Sequence, residues 1–363
     1  MVAICFVSLP SYGYYNTSKF SKAGGGGAKR QIYLLSKVIS QHCKTGVVVG
    51  DYGQPTYEKR EGIHLYRAYR PNETNNFTAF YTLFQAMRRA DSDIYIYRGN
   101  PRKAAFVGLI ASVLGKKWVY HVANDADLGK HYNNNPRWIQ LLFKQQLRKA
   151  HTVITQTRKQ QQQLQQRFGV PSTVIPNGYP IAERKNESSR EYILWVGRLE
   201  KEQKRPHLLL DCAEQLPNIT FRIIGVSDES GYATQVTERG KELNNVDFIG
   251  AVPPDEIHQH YWNATALVNT SRYEGFPNTF LEAWRYGIPV LSLSVDPGRY
   301  LGDNQYSGYM EDSMSKLTSE IQRLQTDHKD WEAISQSLQQ YFEKNYSIGE
   351  IGEKWAKAVL VNY

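Results

Sequence analysis

Cysteine is scarce in this sequence: Cys5, Cys43 and Cys212 are far apart and form no metal-type spacing. That excludes a disulfide-stapled scaffold and a thiolate metal centre. A sparse, odd set reads as free thiols in a reducing compartment, so a cytoplasmic protein is expected. No basic segment precedes the first apolar run, and no secretory leader is expected. Long hydrophobic stretches are also missing. The longest, 104–114, falls well short of the ~20 residues that a helical membrane span needs. There is no Walker lysine–serine pair, and no Gly-x-Gly-x-x-Gly leads to an acidic residue in dinucleotide-binding style. Basic residues are dispersed and no known nucleic-acid module is legible, so nucleic acid is not expected as a partner.

What is present is an ordinary globular composition. Hydrophobic residues make up 41% and charged residues 22% of 363 positions, which points to a folded chain of two domains. The 44 Lys and Arg outnumber the 35 Asp and Glu, for a formal charge of +9. Such a balance attracts nucleic acid, acidic lipid or phosphorylated small molecules without choosing among them.

Short β-branched runs alternate with helix-like segments. Strands are expected at 2–8, 47–50, 63–66, 94–97, 118–122, 152–155 and 173–175, with helices at 28–42, 79–89, 102–114, 138–149 and 158–168. Pro176-Asn177-Gly178-Tyr179-Pro180 and the charged run 183–190 read as a linker. The alternation then restarts, with strands at 192–196, 220–224, 246–249, 266–269 and 290–293. This pattern predicts an α/β protein of two Rossmann-like, doubly wound parallel-sheet domains facing a cleft. The expected boundaries are 1–178, 179–345 and a C-terminal helix over 346–363. Ile348, Ile351, Trp355 and Val359 recur there at helical spacing; the helix either caps its own domain or crosses back to the first.

The most informative segment runs from Ser271 to Val290. Pro277 suits the first turn of a helix, Gly287 its C-terminal cap, and Pro289 stops continuation. A helix over 277–286 would turn its free amide end toward an anion. Gly275 allows close backbone approach. Asn278 and Thr279 are placed to meet a diphosphate. Glu282 lies one turn beyond Asn278, where a carboxylate can accept ribose hydroxyls. Glu274, ahead of the helix, can accept hydroxyls of a transferred sugar. Taken singly, each glutamate reads as structural, Glu274 as a complement to the helix dipole and Glu282 as a solvated surface residue; the glycine, the proline and the helix placement together favour the site.

Within Glu-Gly-Phe-Pro-Asn-Thr-Phe-Leu-Glu-Ala, Glu274 and Glu282 resemble the paired-glutamate motif of the family 4 glycosyltransferases. These are retaining enzymes of the two-domain GT-B fold. Trp195-Val196-Gly197-Arg198-Leu199, followed by Lys204-Arg205-Pro206, resembles the family's Gly-Arg-Leu loop and its lysine. Arg198 offers a planar fork and Lys204 a compact charge for a leaving diphosphate. Gly24–Gly27 resembles the family's glycine loop near the reacting sugar, with Gly26 and Gly27 closest to the following helix. His121, at a strand end, resembles the family's histidine near the sugar and is expected to project into the cleft. Ile175-Pro176-Asn177-Gly178 resembles the hinge-proximal turn, and 246–250 the base-side strand.

The resemblance implies a hexosyltransferase-type enzyme that moves a sugar, with retention, from a nucleotide-diphosphate donor to a glycan or lipid-linked acceptor in bacterial-type surface polysaccharide assembly. Arg198, Lys204, Glu274 and His121 would be catalytic. Gly26, Gly27, Gly197, Gly275, Phe276, Pro277, Asn278, Thr279 and Glu282 would hold the donor. Asp125-Ala126-Asp127 and Asp91-Ser92-Asp93 match a loose metal-binding pattern, yet basic groups already serve the diphosphate, so neither metal nor other cofactor is expected. The alternatives are an epimerase or phosphorylase of the same architecture, or a non-catalytic nucleotide-sugar-binding protein. The aromatic and basic helix 136–149 leaves a peripheral contact with the inner face of the membrane open.

Overall fold

The structure is a computed structural model that describes residues 2–16, 26–71, 74–183, 190–226, 231–253, 256–301, 309–310 and 313–360. It divides into two units, one of residues 1–178 with 348–363 and the other of residues 179–347.

In the first unit, strand β1 (Ala3–Val7) is apolar and wholly buried, as a strand covered on both faces must be. Around it an eight-stranded sheet runs in the order β3-β4-β2-β1-β5-β6-β7-β8. Its members are β2 (Lys44–Val49), β3 (Tyr57–Arg60), β4 (Ile63–Arg67), β5 (Ile94–Arg98), β6 (Lys117–His121), β7 (Thr152–Thr155) and β8 (Thr173–Val174). All neighbours are parallel except the β3–β4 hairpin. The sequence reading missed β3, because Tyr-Glu-Lys-Arg has no apolar face to bury. The hairpin is made by its turn: Glu61 and Gly62 both have positive φ (48° and 81°), the geometry that matches strand twist.

Helices α1 (Gly27–Ile39), α2 (Asn76–Ala90), α3 (Pro101–Val113), α4 (Arg137–Lys149) and α5 (Arg158–Phe168) fill the connections. Their starts follow from their caps. Gly26 precedes α1 at φ 89°, a conformation that favours glycine. Asn75 and Asn100 accept from the amides of Thr78 and Arg102, and Pro101 occupies the first helical position of α3.

In the second unit a six-stranded sheet has the order β11-β10-β9-β12-β13-β14, with every neighbour parallel. The strands are β9 (Tyr192–Arg198), β10 (Phe221–Val226), β11 (Val246–Gly250), β12 (Ala264–Asn269), β13 (Val290–Ser292) and β14 (Tyr309–Met310). Between and after them come α6 (His207–Gln215), α7 (Gly231–Lys241), α8 (Ile257–Trp262), α9 (Asn278–Trp284), α10 (Met314–Thr326) and α11 (His328–Tyr346). Of the charged run read as linker, 184–189 lie outside the described residues.

The helical tail is three helices. Asp327 separates α10 from α11 and caps the latter, accepting from the Asp330 amide; Ser347 breaks the chain again. The last helix, α12 (Ile348–Leu360), belongs to the first unit. Its buried stripe is Ile351, Trp355 and Val359, and Trp355 meets Phe6 of β1 at 6.4 Å between ring centroids. Gly352 allows α12 to approach α1, since a Cβ there would overlap Val38.

Gly287 ends α9 at φ 70°, and a Cβ there would overlap Ser335 of α11 and come within 2.7 Å of its carbonyl. Gly287→Ala combines backbone strain with overpacking. It is expected to destabilise the second unit by about 2–3 kcal/mol, read as a lowered urea midpoint at unchanged slope.

Candidate functional site

Ligand sites in parallel sheets lie at the carboxyl ends of strands. In the second unit, β9 and β12 are neighbours, and the loops that leave them are tied together. The Trp195 indole donates to Thr270 Oγ1 at 2.9 Å, and that hydroxyl donates to the Lys204 carbonyl at 2.6 Å. The Arg272 amide donates to the Gln203 carbonyl at 2.8 Å. Arg205 has φ 50°, and its guanidinium donates to the Thr270 carbonyl and to Ser294 Oγ, both at 2.8 Å. Sequence reasoning gave Arg205 no part, since nothing in the residue type announces a left-handed arginine that clamps two loops.

The clamp sets Lys204 against Glu274. Their side chains form an ion pair, Nζ to Oε1, with only 20% and 12% of their surfaces exposed. The basic loop and the acidic motif, far apart in sequence, thus meet at one point. A partly buried pair of this kind is a charge reserve: the lysine can turn to an arriving anion, which frees the carboxylate for hydroxyl groups. Arg198 ends β9 with an exposed side chain, its guanidinium 3.3 Å from Glu200 Oε2. Gly197 is obligatory for packing, because a Cβ would come 2.9 Å from the Trp195 ring.

Helix α9 starts one residue later than expected and ends two earlier, with Pro277 at its N-cap and no side-chain hydrogen bond to the cap. Gly275 is half-buried, and its carbonyl accepts from the Tyr300 hydroxyl at 2.9 Å. Phe276 and Pro277 are buried, and Phe276 sits edge-on to Tyr300 at 4.8 Å. Asn278 and Thr279 are half-buried. Glu282 is buried and accepts from the Tyr261 hydroxyl at 3.0 Å. It therefore sits on a different partner from Glu274. The Tyr261 hydroxyl holds one Glu282 oxygen in place, a contact that sequence reasoning did not foresee.

In the first unit, Gly26 and Gly27 form the entry to α1, while Gly24 and Gly25 lie outside the described residues. His121 ends β6 as expected but does not project into open space. It is 1% exposed, and the Trp355 ring of α12 closes over it edge-on at 5.2 Å. Burial, and then the charge of Arg98 on the neighbouring strand, push its pKa well below the usual 6.5. The ring is therefore neutral when folded but protonates in the unfolded chain. In the window below pH 6.5 the unfolded state binds the extra proton, so stability falls as pH falls, by up to ~1.4 kcal/mol per pH unit for this group. His121→Phe is expected to remove one proton's worth of that slope between pH 6.5 and 5, measured by urea melts. An unchanged slope would clear His121 of the effect.

The two Asp-x-Asp pairs have structural partners. Asp127 accepts from the amides of Ala123 and Asn124, and Asp125 pairs with Lys159. Asp93 accepts from the Ala3 amide, and Asp91 pairs with Lys116. Among the described residues no cluster of three His, Cys, Asp or Glu side chains stands where a metal ion could be held, and no helix is long and apolar enough to cross a membrane.

Residues 181–346 match the family model described as glycosyl transferases group 1, and residues 25–183 match that of glycosyltransferase family 4. A lipopolysaccharide 1,6-galactosyltransferase of Salmonella typhimurium is 41% identical over 110 residues, 29% of this chain and 30% of the relative. Its namesake from Escherichia coli K12 is 28% identical over 178 residues, 44% of this chain and 47% of that one. The matched stretch thus spans less than half the length of either relative. Among solved structures, sucrose-phosphate synthase from Thermosynechococcus elongatus superposes with a TM-score of 0.77 at 16% identity, covering 100% of this chain and 99% of that one. At that identity the likeness shows the fold, GT-B.

Proposed function

The chain belongs to the glycosyl transferases group 1 and glycosyltransferase family 4, its second half matching the one and its first half the other, and on that premise we propose that it is a retaining glycosyltransferase acting from a nucleotide-diphosphate sugar onto a glycan or lipid-linked acceptor. The observation that carries the reading is the contact of Lys204 with Glu274 beside the start of α9. It joins the group suited to a leaving phosphate to the group suited to a sugar.

In this reading the donor diphosphate draws Lys204 away from Glu274, and exposed Arg198 closes on its oxygens. Glu274 then accepts hydroxyls of the sugar to be moved, and Glu282, steadied by Tyr261, those of the ribose. The bond from the anomeric carbon to the phosphate oxygen breaks with charge stabilised by the two cations. The acceptor oxygen attacks from the same face, and its proton passes to the departing phosphate. No metal is required for this scheme. The galactosyltransferase relatives support surface polysaccharide assembly as the setting, and three buried free thiols support the cytoplasm as the place.

The test is product analysis with labelled nucleotide sugars and a glycan acceptor. A glycoside that keeps the donor's anomeric configuration is expected. An inverted product contradicts the mechanism, and an epimerised or phosphorolysed sugar contradicts the reaction class. Glu282→Gln is expected to raise the donor KM roughly tenfold at nearly constant kcat, the mark of a group that binds the part of the donor remote from the reaction.

A further inference from the structure

The first unit holds a cavity of about 600 Å³, a size that suits a small organic ligand. Much of its wall is apolar, with Leu9, Ile32, Leu83 and Val107 among the residues that line it. Phe80, Phe106 and Trp138 line it in an edge-to-face series, 6.0 Å and 6.2 Å between successive centroids, and Phe80 and Trp138 also reach solvent. Four cations, Lys29, Arg98, Arg102 and Lys103, line the same cavity, and among the described residues no carboxylate does.

That combination selects its ligand. A glycan is held by carboxylates and amides, and here Asn76 is the sole side-chain amide among the described residues of the wall. A nucleotide base has no need of so much aliphatic surface. An apolar space lined by several cations complements an anion on an apolar chain. Desolvation lowers the ammonium pKa of Lys103; it does the same for Lys29, with the charge of Lys103 as a second cause. Lys29, half-buried, and Lys103, more exposed, line the same cavity, where an anion between them relieves their repulsion.

We propose that this cavity seats a lipid-phosphate acceptor, its apolar chain against Leu9, Ile32, Leu83 and the aromatic series and its phosphate on Lys29, Arg102 and Lys103. The binding claim stands alone. That the occupant is the acceptor rests on the transferase reading above.

The experiment is calorimetry on the full chain in phosphate-free buffer, with decyl phosphate, hexyl phosphate, decanol and inorganic phosphate as probes, all below micellar concentrations. Decyl phosphate is expected to bind. Removing four methylenes should weaken it on the order of 10²-fold, since each buried methylene is worth about fourfold in affinity. Decanol and inorganic phosphate should each bind at least 10²-fold more weakly than decyl phosphate. Ala79→Trp, which fills the cavity from α2, should abolish decyl phosphate binding and leave nucleoside-diphosphate binding intact. Should that variant melt early, the double variant Lys29→Gln with Lys103→Gln serves in its place, with a loss of 30-fold or more expected. Inorganic phosphate or decanol binding as tightly as decyl phosphate overturns the proposal, as does a filled cavity that still binds it. Failure of decyl phosphate with nucleotide binding intact sinks the lipid site alone. Failure of every nucleotide with decyl phosphate bound sinks the transferase reading alone.

Discussion

Lys204→Ala is expected to lower kcat by roughly 10²–10³-fold, with a smaller effect on donor KM. Removing one donor that stabilises charge on a departing group has this size of effect, and Lys204 is the ammonium that the loop clamp holds in place. The substitution acts twice. It removes a cation from the leaving diphosphate, and it strands Glu274, a mostly buried acid, where its charge repels the incoming phosphate. Lys204→Ala combined with Glu274→Gln should therefore recover part of the donor affinity lost by the single variant, without recovering kcat. Steady-state rates over a range of donor concentrations separate the two effects. A kcat within threefold of wild type for Lys204→Ala removes the lysine from the reaction.

Trp355→Ala is expected to destabilise the first unit by about 3–5 kcal/mol, the range for emptying a buried aromatic site. Trp355 is wholly buried and touches both Phe6 on the central strand and His121 on β6. It is the largest member of the stripe by which α12 holds to this unit. Such a loss corresponds to a Tm lower by roughly 10 °C for a unit of this size. Trp355→Phe should retain most of the stability. The alanine variant also uncovers His121, so the histidine-linked pH slope below 6.5 should shrink in the same protein. Full stability with an unchanged slope contradicts the role assigned to this helix.

The strands that build the two sheets were legible because each is a short, nearly continuous apolar run. β1, β5 and β7 lie within a residue or so of where the pattern puts them. Strands β3 and β14 were not, because a hairpin held by a left-handed turn needs no apolar run and two residues are too few to make a pattern. The Glu-Gly-Phe-Pro-Asn motif was legible as a helix start, since proline and glycine punctuate it. What could not be read was pairing at a distance. Lys204 meets Glu274, and Tyr261 meets Glu282, only once β9 and β12 lie side by side and the intervening helices have folded. His121 shows the converse. Its position at the strand end was legible, but the lid over it comes from Trp355, more than two hundred residues away, and no local pattern announces that. The cavity is likewise assembled from positions spread between Val7 and Trp138.

The most direct measurement is calorimetric binding of UDP, GDP and ADP to the wild-type chain and to Lys204→Ala, paired with thermal melts. One diphosphate should stand out, stabilising the wild type by ~2.7 kcal/mol at 100-fold excess over its Kd, and that gain should shrink in the variant. No binding by any of the three, or identical binding in both proteins, would contradict a diphosphate seat built around Lys204 and Glu274.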